Sequence, residues 1–247
     1  GNTEYFLKLW YEIAYGYIDF GKKPNEIAQI RFAPINKGGM RRKWYGNNEY
    51  VIKWYDNGKE LKEYSDSKGK KLSYPRNLDF QLMESLTWGD ILSGDFSMRF
   101  SPEGFFFSDV GNSLFIRDRG LEMYALAFCN TNLFNIISKM LNQTMHFKPG
   151  NMLKVPFLVS KEKESEIYQY VIENIDRSKL DWDSFEVSWD FKFHPFISMN
   201  KKSIDVDGTY ITKVTESFSL WKAYMDISFQ KLKHNEEELN RIFIDIY

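Results

Sequence analysis

The sequence predicts an α+β fold. It comprises an N-terminal helix, a mixed or antiparallel sheet lobe carrying two central helices, and a helical C-terminal part ending in one long helix. Three observations point there. Helical spacing of apolar residues is confined to the two ends and one central stretch, turn residues punctuate positions 30–115, and the order helix, sheet, helices segregates the elements instead of alternating them. The 247 residues are 43% hydrophobic and 17% aromatic, enough for a real core and too apolar for a disordered chain.

Taken in order, residues 3–15 read as a helix, with Phe6, Leu9, Trp10 and Ile13 on one face and Thr3 as its cap. Residues 30–115 read as mostly strand. There the run Tyr50 to Tyr55 leads into Asp56-Asn57-Gly58, a hairpin turn by composition because Asn and Gly accept positive φ. A strand–turn–strand is expected between Phe96 and Phe107, turning at Ser101-Pro102-Glu103-Gly104. Residues 118–141 form two short helices broken near Asn130-Thr131-Asn132, and the prolines at 149 and 156 return the chain to strand or loop. Residues 161–176 form a charged helix with the stripe Ile167, Tyr170, Val171, Ile175. From about Thr215 to Tyr247 one long helix is expected, its seam of Trp221, Met225, Leu232, Leu239 and Phe243 packing within the chain. The organisation is therefore 1–29, an N-terminal helical segment; 30–158, a sheet lobe; and 159–247, a helical bracing region.

The net charge of −1 conceals an asymmetry. Lys22 to Arg76 holds 14 Lys/Arg against 6 Asp/Glu, a net +8, whereas Lys161 to Tyr247 holds 12 against 17, a net −5. A basic front with an acidic back points to one polyanion-facing region. The single cysteine, Cys129, excludes an intramolecular disulfide, suits a reducing cytoplasm and lies in an apolar run, where a buried thiol is expected. No apolar stretch approaches the roughly 20 residues needed to span a bilayer, so no membrane partner is expected.

Several chemistries are excluded by absence. The 7 prolines are all isolated, so no Pro-Pro motif exists to hold a flipped adenine, and no Gly-x-Gly pair marks a dinucleotide or P-loop turn. His146, His194 and His234 lack metal-ligand spacing. Asp56 with Glu60-x-Lys62 resembles a metal-nuclease pattern, but solvated charge beside a turn explains it.

The densest chemistry is Lys37-Gly38-Gly39-Met40-Arg41-Arg42-Lys43-Trp44-Tyr45-Gly46-Asn47-Asn48. Lysine and arginine neutralise phosphates, and the released counterions make such binding favourable and salt-dependent. The glycines let backbone N–H groups approach an anion. Trp44 or Tyr45 suits stacking, Asn47 and Asn48 suit an adenine edge, and Arg41 or Arg42 a guanine edge. Arg76, Arg99 and Lys148 extend the candidate set. The competing reading is a solvated basic loop with two anchoring aromatics. The aromatic content also admits sugar stacking, although many of the rings fall in periodic runs that mark core.

The run Lys37 to Val51, ending near Trp54, closely resembles a signature of BREX-type (phage-exclusion, PglX-like) adenine-specific DNA methyltransferases, with related runs in type IIG restriction–modification methylases. The resemblance continues through Leu86-Thr87-Trp88, Phe96 to Phe100, Pro102 to Phe105, Gly111 to Phe115, Asn142 to Gly150, Trp182 to Phe191 and Asn235 to Phe243. It implies a C-terminal target-recognition region. Such a region binds double-stranded DNA beside a catalytic domain of the same parent chain, which binds S-adenosylmethionine and methylates adenine N6. No cofactor and no catalytic residue carry over to this chain, which on this reading is a piece excised between helices. Lys148-Pro149 departs from the neutral amide and aliphatic residue common in relatives, implying an added phosphate contact or an altered turn. The alternative is a protein-interaction scaffold that binds other defence-system subunits through the long helix.

Overall fold

A computed structural model describes residues 3–91, 94–202 and 213–247. Seven strands among them are β1 (Leu7–Leu9), β2 (Phe32–Asn36), β3 (Tyr50–Lys53), β4 (Ser85–Gly89), β5 (Arg99–Ser101), β6 (Phe106–Phe107) and β7 (Gly111–Leu114). They form two sheets, ordered β1-β3-β2-β6 and β5-β4-β7. In the first, β3 runs antiparallel to both neighbours, placing Ile52 opposite Leu7 on one side and Ala33 on the other, while β6 joins β2 in parallel. The second is antiparallel throughout, with Leu86 between Phe100 and Leu114. The fold is α+β, as the sequence predicts.

Three local expectations are corrected. The helix expected over 3–15 is confined to α1 (Thr3–Phe6), after which the chain becomes β1 and a 3-10 turn at Trp10–Glu12. Pairing with β3 and a bond from Trp10 N to Glu49 O at 2.9 Å outweigh the helical spacing, an instance of tertiary contact overriding local propensity. Asp56, Asn57 and Gly58 do adopt positive φ (50°, 53° and 68°), yet they make no hairpin and wind instead into α2 (Tyr55–Glu63). Finally, β5 and β6 turn at Gly104 (φ 96°) but enter different sheets.

The remaining helices are α3 (Glu122–Cys129), α4 (Asn132–Leu141), α5 (Pro149–Met152), α6 (Glu164–Trp182), α7 (Pro195–Lys202) and α8 (Val214–Ile246). The α3/α4 break falls where expected because Thr131 caps α4, its hydroxyl accepting from Phe134 N at 3.1 Å. The main core packs α3, α4, α6 and α8 on the second sheet. Phe128 sits at its centre, with ring centroids 5.4 Å from Phe134, 5.4 Å from Phe243 and 5.0 Å from Tyr247. Leu239 and Phe243 of the long-helix seam are buried within the chain. A second, smaller core under the first sheet holds Ile30, Ala33, Ile35, Ile52, Trp54, Leu82 and Phe106. Cys129 is buried, and burial pushes its thiol well above the usual range, which makes it unreactive. Among the described residues no helix is long and apolar enough to cross a membrane.

Candidate nucleic-acid interface

The 37–48 loop joins β2 to β3, whose apolar residues belong to the small core, yet it reaches across to the main core. Trp44 makes the crossing. Its backbone N donates to Met98 O (3.0 Å) and its carbonyl accepts from Phe100 N (2.8 Å), so it adds a rung beside β5. Its indole is 1% exposed and donates through Nε1 to Glu236 Oε1 at 2.7 Å. Lys43 Nζ donates to the other oxygen of Glu236, also at 2.7 Å.

Arg42 is equally committed. Its Nε donates to Tyr45 O (2.8 Å), one terminal nitrogen donates to Asp181 Oδ2 (2.6 Å) and Ser178 O (3.3 Å), and the guanidinium lies 5.1 Å from the Trp182 ring. Gly46 makes room for this arrangement, since a Cβ there would come within 2.4 Å of Arg42 Nε. Tyr45 is buried with the Lys179 ammonium over its ring at 5.1 Å, and Asn48 is buried beside it. As placed, Arg42, Lys43, Trp44, Tyr45 and Asn48 anchor the loop, and the Trp44 ring offers no face to a base. Asn47 (φ 60°) closes the tip by donating to Met40 O at 2.7 Å.

The tip itself stands out from the body. Gly38 (φ 95°) turns where a Cβ would meet Val110 O at 2.9 Å, so the close approach to the Val110 carbonyl requires glycine. Met40 beyond it is 83% exposed, and Arg41 is exposed, its Nε donating to Asp95 O at 3.2 Å and its charge acting on the Asp95 carboxylate, with no ion pair among the described residues. Lys37 rests its ammonium 3.9 Å from the Tyr50 ring centroid.

Two groups far away in sequence meet this tip. Gly89 lies against Gly38, and the next residue, Asp90, is buried with its Oδ2 accepting from Lys148 Nζ (2.8 Å) and from His146 Nδ1 (2.7 Å). Burial raises the Asp90 pKa, but the hydrogen bonds and charges of Lys148 and His146 outweigh it and hold the carboxyl below its usual value. Beneath the tip, Arg99 is 3% exposed and donates to Gly38 O at 3.4 Å, with no ion pair among the described residues. Burial, reinforced by Arg42, pushes its pKa down to about 10, which leaves it cationic at neutral pH. Lys37, Arg41 and buried Arg99 thus form one positive neighbourhood, with the Lys148–Asp90 pair beside it. Arg76 is exposed elsewhere, on the rim of a groove described below.

Sequence reasoning missed Met40, Asp90, His146 and Glu236. The signal for Asp90 with His146 was weak, since 56 residues separate them. Among the described residues no three His, Cys, Asp or Glu converge as metal ligands. Nor do the paired strands offer the parallel strand–helix crossover that cradles a nucleotide-like cofactor: the one parallel strand pair among them is the two-residue match of β2 with β6.

No family model matches the chain. Over its whole length it is 37% identical to a segment of an adenine-specific methyltransferase PglX of Lacticaseibacillus casei (strain Zhang). It is likewise 29% identical to a segment of an adenine-specific methyltransferase BrxX of Escherichia coli O9:H4 (strain HS). Both relatives are BREX adenine-specific methyltransferases, and the chain spans 20% and 18% of their lengths.

Proposed function

We propose, from the premise that this chain corresponds to a segment of BREX adenine-specific methyltransferases, that it is a DNA-contacting target-recognition segment of such an enzyme and supplies no catalytic group itself. In this reading S-adenosylmethionine and the methyl transfer to adenine N6 belong to another part of a longer, cytoplasmic protein. The observation that carries the reading is the positive neighbourhood at the loop tip. Lys37 and exposed Arg41 flank the glycines above Arg99, which forms no ion pair among the described residues, and half-exposed Lys148 is held nearby on buried Asp90. Duplex phosphates approaching there displace counterions at little cost in rearrangement, because the loop is already pinned at Arg42 to Tyr45.

A second reading, a scaffold for other defence-system subunits, is favoured by apolar side chains exposed along the first half of α8, with Ile227 at 70% and Phe229 at 60%. Duplex binding measured at low and moderate salt separates the two. Arg41→Ala/Lys148→Ala is expected to weaken binding about tenfold and to flatten the dependence of log affinity on log salt by about two. Unchanged binding by this variant, or no binding by wild-type protein at low salt with the fold intact, overturns the DNA reading. Loss of complex assembly on substituting Ile227 and Phe229, with DNA binding intact, supports the scaffold.

A further inference from the structure

Between the two sheets runs an open groove of about 880 Å³, within the range of roughly 300–1,000 Å³ seen for small-molecule sites. Three phenylalanines from separate segments meet in it. Phe115 lies 5.2 Å from Phe80 and 5.4 Å from Phe107, centroid to centroid; Phe80 is exposed and the other two are half-buried. Tyr74 stands 61% exposed on the rim, next to exposed Arg76. The wall carries a buried polar group: Asn112 is 5% exposed, and its amide nitrogen has no hydrogen-bond partner among the described residues. A buried donor left unmatched costs stability on the order of 1–3 kcal/mol, so its retention in an aromatic groove points to a ligand acceptor. Trp54, deeper in the same groove, leaves its indole N–H unmatched as well.

The groove continues into a hollow of about 500 Å³ that shares Phe80, Phe115 and Pro149 and is edged by exposed Arg117. Pro149 follows Lys148 directly, so the aromatic floor begins one residue from the positive loop tip.

We infer that this groove holds a nucleobase unstacked from the nucleic acid gripped at the loop tip, its ring against Phe80 and Phe115, its acceptor edge towards the Asn112 amide and its phosphates towards Arg76 and Arg117. This rests on the DNA-contacting reading and adds a ligand class to it. The groove supplies each chemical requirement. A planar ring needs aromatic faces, a base edge needs a donor that water does not already saturate, and flanking phosphates need cations without carboxylate partners. Neither Arg76 nor Arg117 forms an ion pair among the described residues.

The test is photocrosslinking of the whole protein carrying these residues to single-stranded and duplex oligonucleotides containing 5-iodouracil, with adducts mapped to peptides. Adducts on Tyr74, Phe80, Phe107 or Phe115 are expected, strongest with the single strand. Phe80→Ala, at a half-exposed position that leaves the fold intact, is expected to weaken single-strand binding about tenfold. The salt dependence should stay unchanged, because the ring carries no charge. Asn112→Ala is expected to lower adduct yield at equal occupancy. Adducts confined to the 37–48 loop, with Phe80→Ala binding like wild type, overturn the base-binding groove while the DNA-contacting reading stands. No binding of either oligonucleotide at low salt overturns both.

Discussion

From Gly39 to Arg41 the loop stands in solvent, whereas from Arg42 to Asn48 the same loop is sewn into the main core. Arg41 and Arg42 are neighbours in sequence and opposite in circumstance. One has a single carbonyl partner and faces water; the other is divided among Tyr45, Ser178 and Asp181 and stacks near Trp182. The difference teaches that a run of cations is not a charged surface. Lys43 is neutralised by Glu236, Arg42 by Asp181 and Lys148 by Asp90, so the positive field comes from Lys37, Arg41 and Arg99, which form no ion pair among the described residues. The anchored arm gives the exposed arm its rigidity.

The largest expected effect breaks the anchor. Trp44→Ala removes a fully buried indole and its bond to Glu236, and a loss of about 3–5 kcal/mol is expected in urea unfolding. A loss under about 1 kcal/mol would mean that the loop is not pinned to the main core. A smaller effect sharpens the contrast between the two arginines. Arg42→Ala is expected to cost about 0.5–1 kcal/mol, since its pair with Asp181 is partly solvated, while Arg41→Ala stays within about 0.5 kcal/mol of wild type. DNA affinity should rank in the reverse order, with Arg41→Ala the weaker binder.

The smallest effect concerns pH. Asp90 is held below its ordinary pKa in the folded chain, so the unfolded chain binds the proton more readily. Its contribution is present above the unfolded value of about 3.9 and is lost as pH falls through the lower folded value. The stability advantage of wild type over Asp90→Asn should therefore hold near neutrality and fade in acid. An advantage that persists undiminished in strong acid would show that Lys148 and His146 do not stabilise the ionised carboxyl.

How much was legible in advance follows the range of the interactions. The helices α3, α4, α6 and α8, with the break at Thr131, could be read from spacing and capping because each depends on residues a few positions apart. The positive φ at Asp56, Asn57 and Gly58 was legible for the same reason, while the turn they build was not. At the candidate interface, composition picked out the loop and Lys148, but not which cations stay free. That depended on Asp181 and Glu236, 139 and 193 residues from Arg42 and Lys43.

The sequence by itself thus determined the α+β class, the helical elements, the aromatic core and the location of a basic loop, all of which follow from local periodicity and residue chemistry. Only the tertiary structure decided that Leu7–Leu9 is a strand, that Arg42 to Tyr45 serve the core, and that Phe80, Phe107 and Phe115 share one groove. The physical reason is that strand pairing, charge neutralisation and groove formation depend on long-range partners, and no local pattern encodes which distant residue a side chain will meet.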